Sequence, residues 1–133
     1  MTLAEVKAEI DRRAAIVGAD GNSLPSYGRT RDFGYPHIEI DSRGFHYVVV
    51  ERGNELSRIT TPDLDELLYH VFSAITFGLA GRYEVQHRVR GKDTRRIMFD
   101  RQIELLAQLS PTWAERRLKQ QGEILVEHPF VDR

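Results

Sequence analysis

The sequence predicts an α+β fold, a three-stranded antiparallel meander packed against three to four α-helices in a single domain spanning 1–133. Two changes of hydrophobic period predict it. Apolar residues recur every three or four positions over 2–17, alternate singly over 37–60, and return to the helical period over 62–127; the first and last patterns suit helices and the middle one strands. The stretch 18–36 has no period and reads as a loop. The length allows one sizeable core and is short for two ordinary domains.

Each element can be justified in order. Thr2 and Glu5 have capping-box spacing, and Leu3, Val6, Ile10, Ala14 and Val17 form a narrow stripe that stops at Gly18. The 19-residue segment "GADGNSLPSYGRTRDFGYP" is long for an idle connection, so either "LPSY" forms a short extended piece or the loop has a task. In "HIEIDSRGFHYVVVERG", Ile38, Ile40, Phe45, Tyr47 and Val49 fall on one face. A turn through Ser42 and Arg43 then sets Ile40 opposite Phe45, Glu39 opposite His46 and Ile38 opposite Tyr47. His37, Glu39, Asp41 and His46 take the other face, beside Val48 and Val50. "ELSRIT" reads as a third strand of open register, because a loop longer by one residue reverses its faces.

From Pro62, placed at the first helical position, Leu64, Leu67, Leu68, Val71, Phe72, Ile75 and Leu79 share one helical arc. A second stripe of Tyr69, Thr76, Ala80, Tyr83 and His87 indicates contact on two sides. Gly91-Lys92-Asp93 breaks the pattern with Asp93 as a cap, and the next helix has Met98, Phe99, Gln102, Ile103, Leu105, Leu106 and Leu109 on its apolar arc. Ser110-Pro111 opens a last helix that buries Trp113, Leu118, Ile124 and Leu125, and "EHPFVDR" ends irregularly.

Composition removes several functions. Without cysteine there are no disulfides, thiolate nucleophiles or Cys-containing zinc sites. No apolar run approaches the ~18 residues of a membrane span, so a cytoplasmic protein is expected. Walker loop, dinucleotide fingerprint, HExxH and nucleophile elbow are all missing. We therefore expect neither catalytic residues nor a cofactor. The net charge of −1 conceals a split: residues 1–81 hold 8 Lys/Arg against 12 Asp/Glu, and residues 82–101 hold 7 against 3. Such asymmetry bears on partners and association rates.

Three clusters invite a chemical reading. "TPDLDELLYH" gathers Asp63, Asp65, Glu66 and His70, but acids in a first helical turn are what the helix dipole favours. His37, Glu39 and His46 lie close on one predicted face and could converge on zinc or non-haem iron in a small metal-dependent enzyme; the bland alternative is a solvated face of cross-strand pairs. The basic run with Arg88, Arg90, Lys92, Arg95 and Arg96 could hold phosphate, yet Glu84 and Asp93 interrupt it and the chain has no overall basic excess. A charged helix flank, or an intrachain partner for the acidic front, explains it better than nucleic acid does.

The series "HYVVVERGNE", "TTPDLDELLYHVF", "YEVQHRV", "DTRRIMFDRQIELL" and "EHPFVD", in this order between His37 and Asp132, resembles the immunity protein 63 family of bacterial polymorphic toxin systems. His70 stands where that pattern often has an aromatic residue, and Val131 where it often has Asp. The resemblance implies a cytoplasmic, non-enzymatic antidote that binds a cognate toxin domain and inhibits it by occlusion. Acids gathered ahead of residue 82 and aromatics in the long loop then suggest the contact surface. It comprises the outer sheet face with Glu39, Asp41, His46 and Glu51, the helix start with Asp63, Asp65 and Glu66, and Tyr27, Phe33 and Tyr35 as anchors.

Overall fold

A computed structural model describes residues 1–133, which form two compact units, Met1–Phe72 and Ser73–Arg133. The first opens with helix α1 (Leu3–Val17), started by the Thr2–Glu5 capping box and ended by Gly18 at φ 72°. Left-handed backbone there lets the Gly18 amide reach back to the last carbonyls of the helix. Val6, Ile10, Ala14 and Val17 are all buried, and α1 packs beside the sheet at β2 (Pro36–Asp41).

The sheet has four strands where three were expected. Its order is β1 (Ser26–Tyr27), β2, β3 (Gly44–Glu51) and β4 (Asn54–Thr61), with β1 parallel to β2 and the other pairs antiparallel. The meander is therefore the antiparallel part of a mixed sheet. A strand of two residues is too short to show alternation, and β1 is the extended option for "LPSY". The β2–β3 register is as expected, Ile40 on Phe45, Glu39 on His46 and Ile38 on Tyr47. Between β3 and β4 the register shifts at Val49/Val50, where Leu56 is an extra residue on β4. Arg52 and Gly53, at φ 55° and 75°, make the tight turn that joins these strands.

Both faces of the sheet are covered at β2 and β3, while β4 is exposed over 54–58. Ile38 and Val48 point to opposite sides and each is fully buried, and His37 and His46 share the Val48 side at 3% and 1% exposure. The face expected to be solvated is thus largely interior. Two valines on it outweigh its polar residues, because burying a valine gains about 1.5 kcal/mol or more.

Helix α2 (Leu64–His87) begins two residues later than expected. Asp63 accepts from the Glu66 amide at 3.2 Å and so acts as the cap, leaving Pro62 outside the helix. Leu67, Leu68, Val71, Phe72 and Ile75 are buried, as are Tyr69, Thr76 and Ala80 of the second stripe.

In the second unit, α3 (Arg95–Leu109) and α4 (Pro111–Glu127) pack against each other across Ser110, whose hydroxyl accepts from the Trp113 amide. Trp113 is buried as expected, but Leu118 is 56% exposed and Ile124 36%. The side of α4 facing α3 is instead completed by Gln121, which donates to Phe99 O and to Gln102 Oε1. No helix is long and apolar enough to cross a membrane.

The tail 128–133 is pinned to the α2–α3 connection. Asp132 receives a two-pronged contact from Arg96 at 3.1 and 2.9 Å and accepts from the Asp93 amide. Asp93 in turn accepts from the Val131 amide and from Arg95, which also donates to the carbonyls of His128 and Pro129. The Arg96 guanidinium stacks 4.2 Å from the centre of Phe130. Arg95 holds the Asp93 carboxyl well below its usual range, and Arg96 lowers that of Asp132. Depressed carboxylates contribute fully above the ordinary aspartate value of 3.8 and lose that contribution as pH falls through their lower folded values. Amide resonances of Val131 and Arg133 should therefore hold their positions down to about pH 4 and move only in stronger acid. Movement between about pH 5 and 7 in an NMR titration would contradict this clamp.

Candidate functional surface

The structure divides the sequence-predicted contact residues between the two ends of the sheet and its interior. At one end, the turn at Asp41–Gly44 meets the start of α2: Phe45 pairs with Thr61, and a Cβ on Gly44 would touch Pro62. Asp41 is thereby brought near Asp63, with Asp65 and Glu66 following on the helix. At the other end, Gly34 donates to Val50 O at 2.9 Å and Gly53 to Asp32 Oδ1 at 3.2 Å, which seats the long loop on the β3–β4 turn. Eight residues of β3 separate these ends by roughly 20 Å.

Most acids at the first end already serve the fold. Asp63 caps α2, Glu66 pairs with His70 at 3.0 Å, and Asp41 accepts from the Arg43 amide at 2.8 Å. His46 Nε2 stands 2.8 Å from Asp41 Oδ1, a charge contact outside good hydrogen-bond angles, while its Nδ1 meets Thr60 Oγ1 at 2.8 Å. That proximity and the Arg43 amide lower the Asp41 carboxyl. Buried as it is, His46 offers no surface of its own. The opening cluster of acids and a histidine is a helix cap and an i,i+4 pair.

Mid-sheet, His37 Nε2 donates to Glu39 Oε2 at 2.6 Å, and Arg58 bridges Glu39 and Glu55 at 3.3 and 2.8 Å. The His37 contact first, then Arg58, pulls the Glu39 carboxyl below its ordinary value. Each imidazole therefore has its own carboxylate, and the chain holds no group of three His, Asp or Glu placed for a metal ion. Two separate pairs stand where the sequence left open a His37–Glu39–His46 metal constellation. A sequence pattern gives shared faces and not the directions of ring nitrogens, which these neighbours decide.

The loop aromatics differ from one another. Tyr27 is half-buried, with its hydroxyl enclosed and its pKa pushed upward by burial. Tyr35 donates to Asn22 O at 2.9 Å under the Arg31 guanidinium. Both hold the loop together. Phe33 is 86% exposed and sits at φ 57°, beside Asp32 at 58°. Left-handed backbone is costly for a bulky residue, and the exposed ring gains little packing in return. Near it, the β3–β4 end exposes Glu51, Arg52 and Leu56, which with Asn54 line a shallow concavity. Leu56 escaped the sequence reading because a bulge re-aims it; Phe33 was singled out by type, though its strain was not visible.

The basic run is spent internally. Arg88 grips the buried Glu84 through two contacts of 3.0 and 2.9 Å, and Arg95 and Arg96 hold the tail. These cations are paired within the chain, but with Glu84 and the tail and not with the acidic front.

Comparison with known protein families gives the class as immunity proteins. The chain belongs to the immunity protein 63 family, whose model matches residues 41–123 and so takes in β3, β4, α2, α3 and most of α4. The "EHPFVD" segment lies beyond the matched region. No curated protein and no solved structure matches the chain.

Proposed function

We propose that this chain is a cytoplasmic antidote that binds one cognate toxin domain and blocks it by occlusion, without catalysis. Membership in an immunity protein family carries the reading. The loop end of the sheet supports it physically: Phe33 is an exposed, strained aromatic in the loop seated on the β3–β4 turn, and that turn also exposes Leu56 and the acidic Glu51. Aromatic anchors of this kind dominate interface energies, while rim charges mainly set association rates. A standard interface of ~800 Å² per partner is about 30 Å across, so one toxin domain can also reach Asp65 at the far end.

The test is growth rescue by this protein of cells expressing the toxin domain encoded beside it, followed by calorimetry of the purified pair. Rescue with nanomolar binding, about −12 kcal/mol, is expected. Phe33→Asn should weaken binding at least tenfold, about 1.4 kcal/mol, and leave the thermal midpoint equal or higher because Asn tolerates left-handed backbone. Glu51→Lys should slow association and leave dissociation nearly unchanged. Full affinity in the Phe33→Asn variant would remove the loop end from the contact surface; absence of both rescue and binding would remove the antidote reading.

A further inference from the structure

Helix α4 has two sides of different character. Trp113, Ala114 and Gln121 are buried, whereas Leu118 and Val126 are 56% and 81% exposed and Leu125 is half-buried between them. Gly122 lies one turn from both Leu118 and Val126, and a Cβ placed on it would meet no atom within 4 Å. Mid-helix glycine weakens a helix, and no neighbour within the chain requires one here. The same exposed side carries one cation, Lys119, between two anions, Glu115 a turn before it and Glu123 a turn after it.

We propose that this face joins two copies of the chain, their α4 helices antiparallel about a two-fold axis at Gly122. In that register each residue before Gly122 faces one equally far after it. Leu118 then meets Val126 of the second copy, and Leu125 meets the aliphatic stem of Lys119. The Lys119 ammonium reaches Glu123 of the second copy, twice by symmetry. Glycine on the axis lets the two backbones approach closely, which gives Gly122 a use that the monomer does not. Parallel pairing would oppose Lys119 to Lys119 and Glu123 to Glu123. The exposed side of α2, with Phe77, Gly78 and Val85, carries no acid and is not self-complementary in this way.

One helix face of this length buries less than the ~800 Å² per partner of a standard interface, so the association is weak, with a Kd of tens of micromolar. Sedimentation equilibrium of the full chain from about 1 to 500 μM should show the 15.4 kDa monomer passing into a dimer. Leu118→Glu should weaken dimerisation at least tenfold. Gly122→Ala should also weaken it while raising the thermal midpoint measured in dilute, monomeric protein. Lys119→Glu should weaken it, and adding Glu123→Lys should restore it, a recovery that general damage to folding would not produce. A monomer at every concentration, or a dimer indifferent to Leu118→Glu and to the charge exchange, overturns the proposal. If the chain is monomeric and Leu118→Glu instead abolishes capture of the toxin domain, the face belongs to the toxin and self-association is likewise overturned.

Discussion

Replacing Gln102 by Leu is expected to destabilise the protein by about 2–4 kcal/mol, although the new side chain is apolar, similar in size and set in a buried position. Gln102 is 1% exposed and works at both ends of its amide. Its Nε2 donates to Ser73 O at 3.0 Å and Thr76 Oγ1 at 3.3 Å on α2, and its Oε1 accepts from Arg117 Nε at 3.1 Å and Gln121 Nε2 at 3.2 Å on α4. Leucine would add apolar volume while taking one partner from each of four polar groups, of which Thr76 keeps its bond to Ser73 O. Each buried group left unmet costs about 1–3 kcal/mol, partly offset by Gln121 keeping its bond to Phe99 O. Urea unfolding measures the change as a lowered midpoint at unchanged slope. Gln102→Glu separates the two ends: it keeps an acceptor for Arg117 and Gln121 but loses the donor toward Ser73, so it should fall between parent and Leu. A Leu variant as stable as the parent would show that Gln102 only fills space.

The same residue shows where sequence reading stops. Gln102 lies on the apolar arc of α3, so its burial follows from period alone, but its partners are 15 to 29 residues away on two other helices. The long arc of α2 was legible because five of its predicted residues are buried on one regular helix. The β2–β3 register was legible because a two-residue turn leaves little choice. Two elements were not: β1 is too short to alternate, and β4 contains a bulge that no pattern announces. On α4 the period led to burial of Leu118 and Ile124, but period alone cannot say whether a partner within the chain covers a residue, and both are exposed.

The candidate surface was legible to a similar depth. Residue type picked out Phe33, Tyr27 and Tyr35 together, and only the backbone separates a strained, exposed Phe33 from two tyrosines that secure the loop. The polar face of β2 and β3 looked solvated because His, Glu and Asp outnumber valine there. Val48 and Val50 on that face already pointed inward, and the structure follows them. Acids that look like a recognition patch are largely taken up by His37, His46, His70, Arg58 and a helix cap. Reversing Glu39 or Asp41 would thus disturb the sheet as well as any partner, which makes Glu51 the cleaner probe.

Gly44→Ala is expected to cost about 3–5 kcal/mol, the larger of these effects for the smaller change of side chain. Gly44 has φ 121°, and an added Cβ would stand 2.5 Å from Thr61 O, 2.8 Å from Pro62 Cα and 3.0 Å from Pro62 N. These obstacles are backbone atoms, so no rotamer change can relieve the overlap. Thr61 is paired with Phe45 in the sheet and Pro62 has a fixed φ, which leaves either the hairpin or the start of α2 to move. Gly53→Ala is the control: φ is 75° and no atom lies within 4 Å, so only the left-handed penalty of about 1–2 kcal/mol applies. The excess of Gly44→Ala over Gly53→Ala in chemical unfolding therefore measures the closeness of the hairpin to the helix start. That closeness is also what sets Asp41 beside the first turn of α2. If binding to the toxin domain uses the acidic end, Gly44→Ala should weaken it even at temperatures where the variant is folded, while Gly53→Ala should leave the acidic end unaffected. Equal costs for the two alanines would mean that the β4–α2 junction yields readily and that its approach to the hairpin does not hold the two acidic segments together.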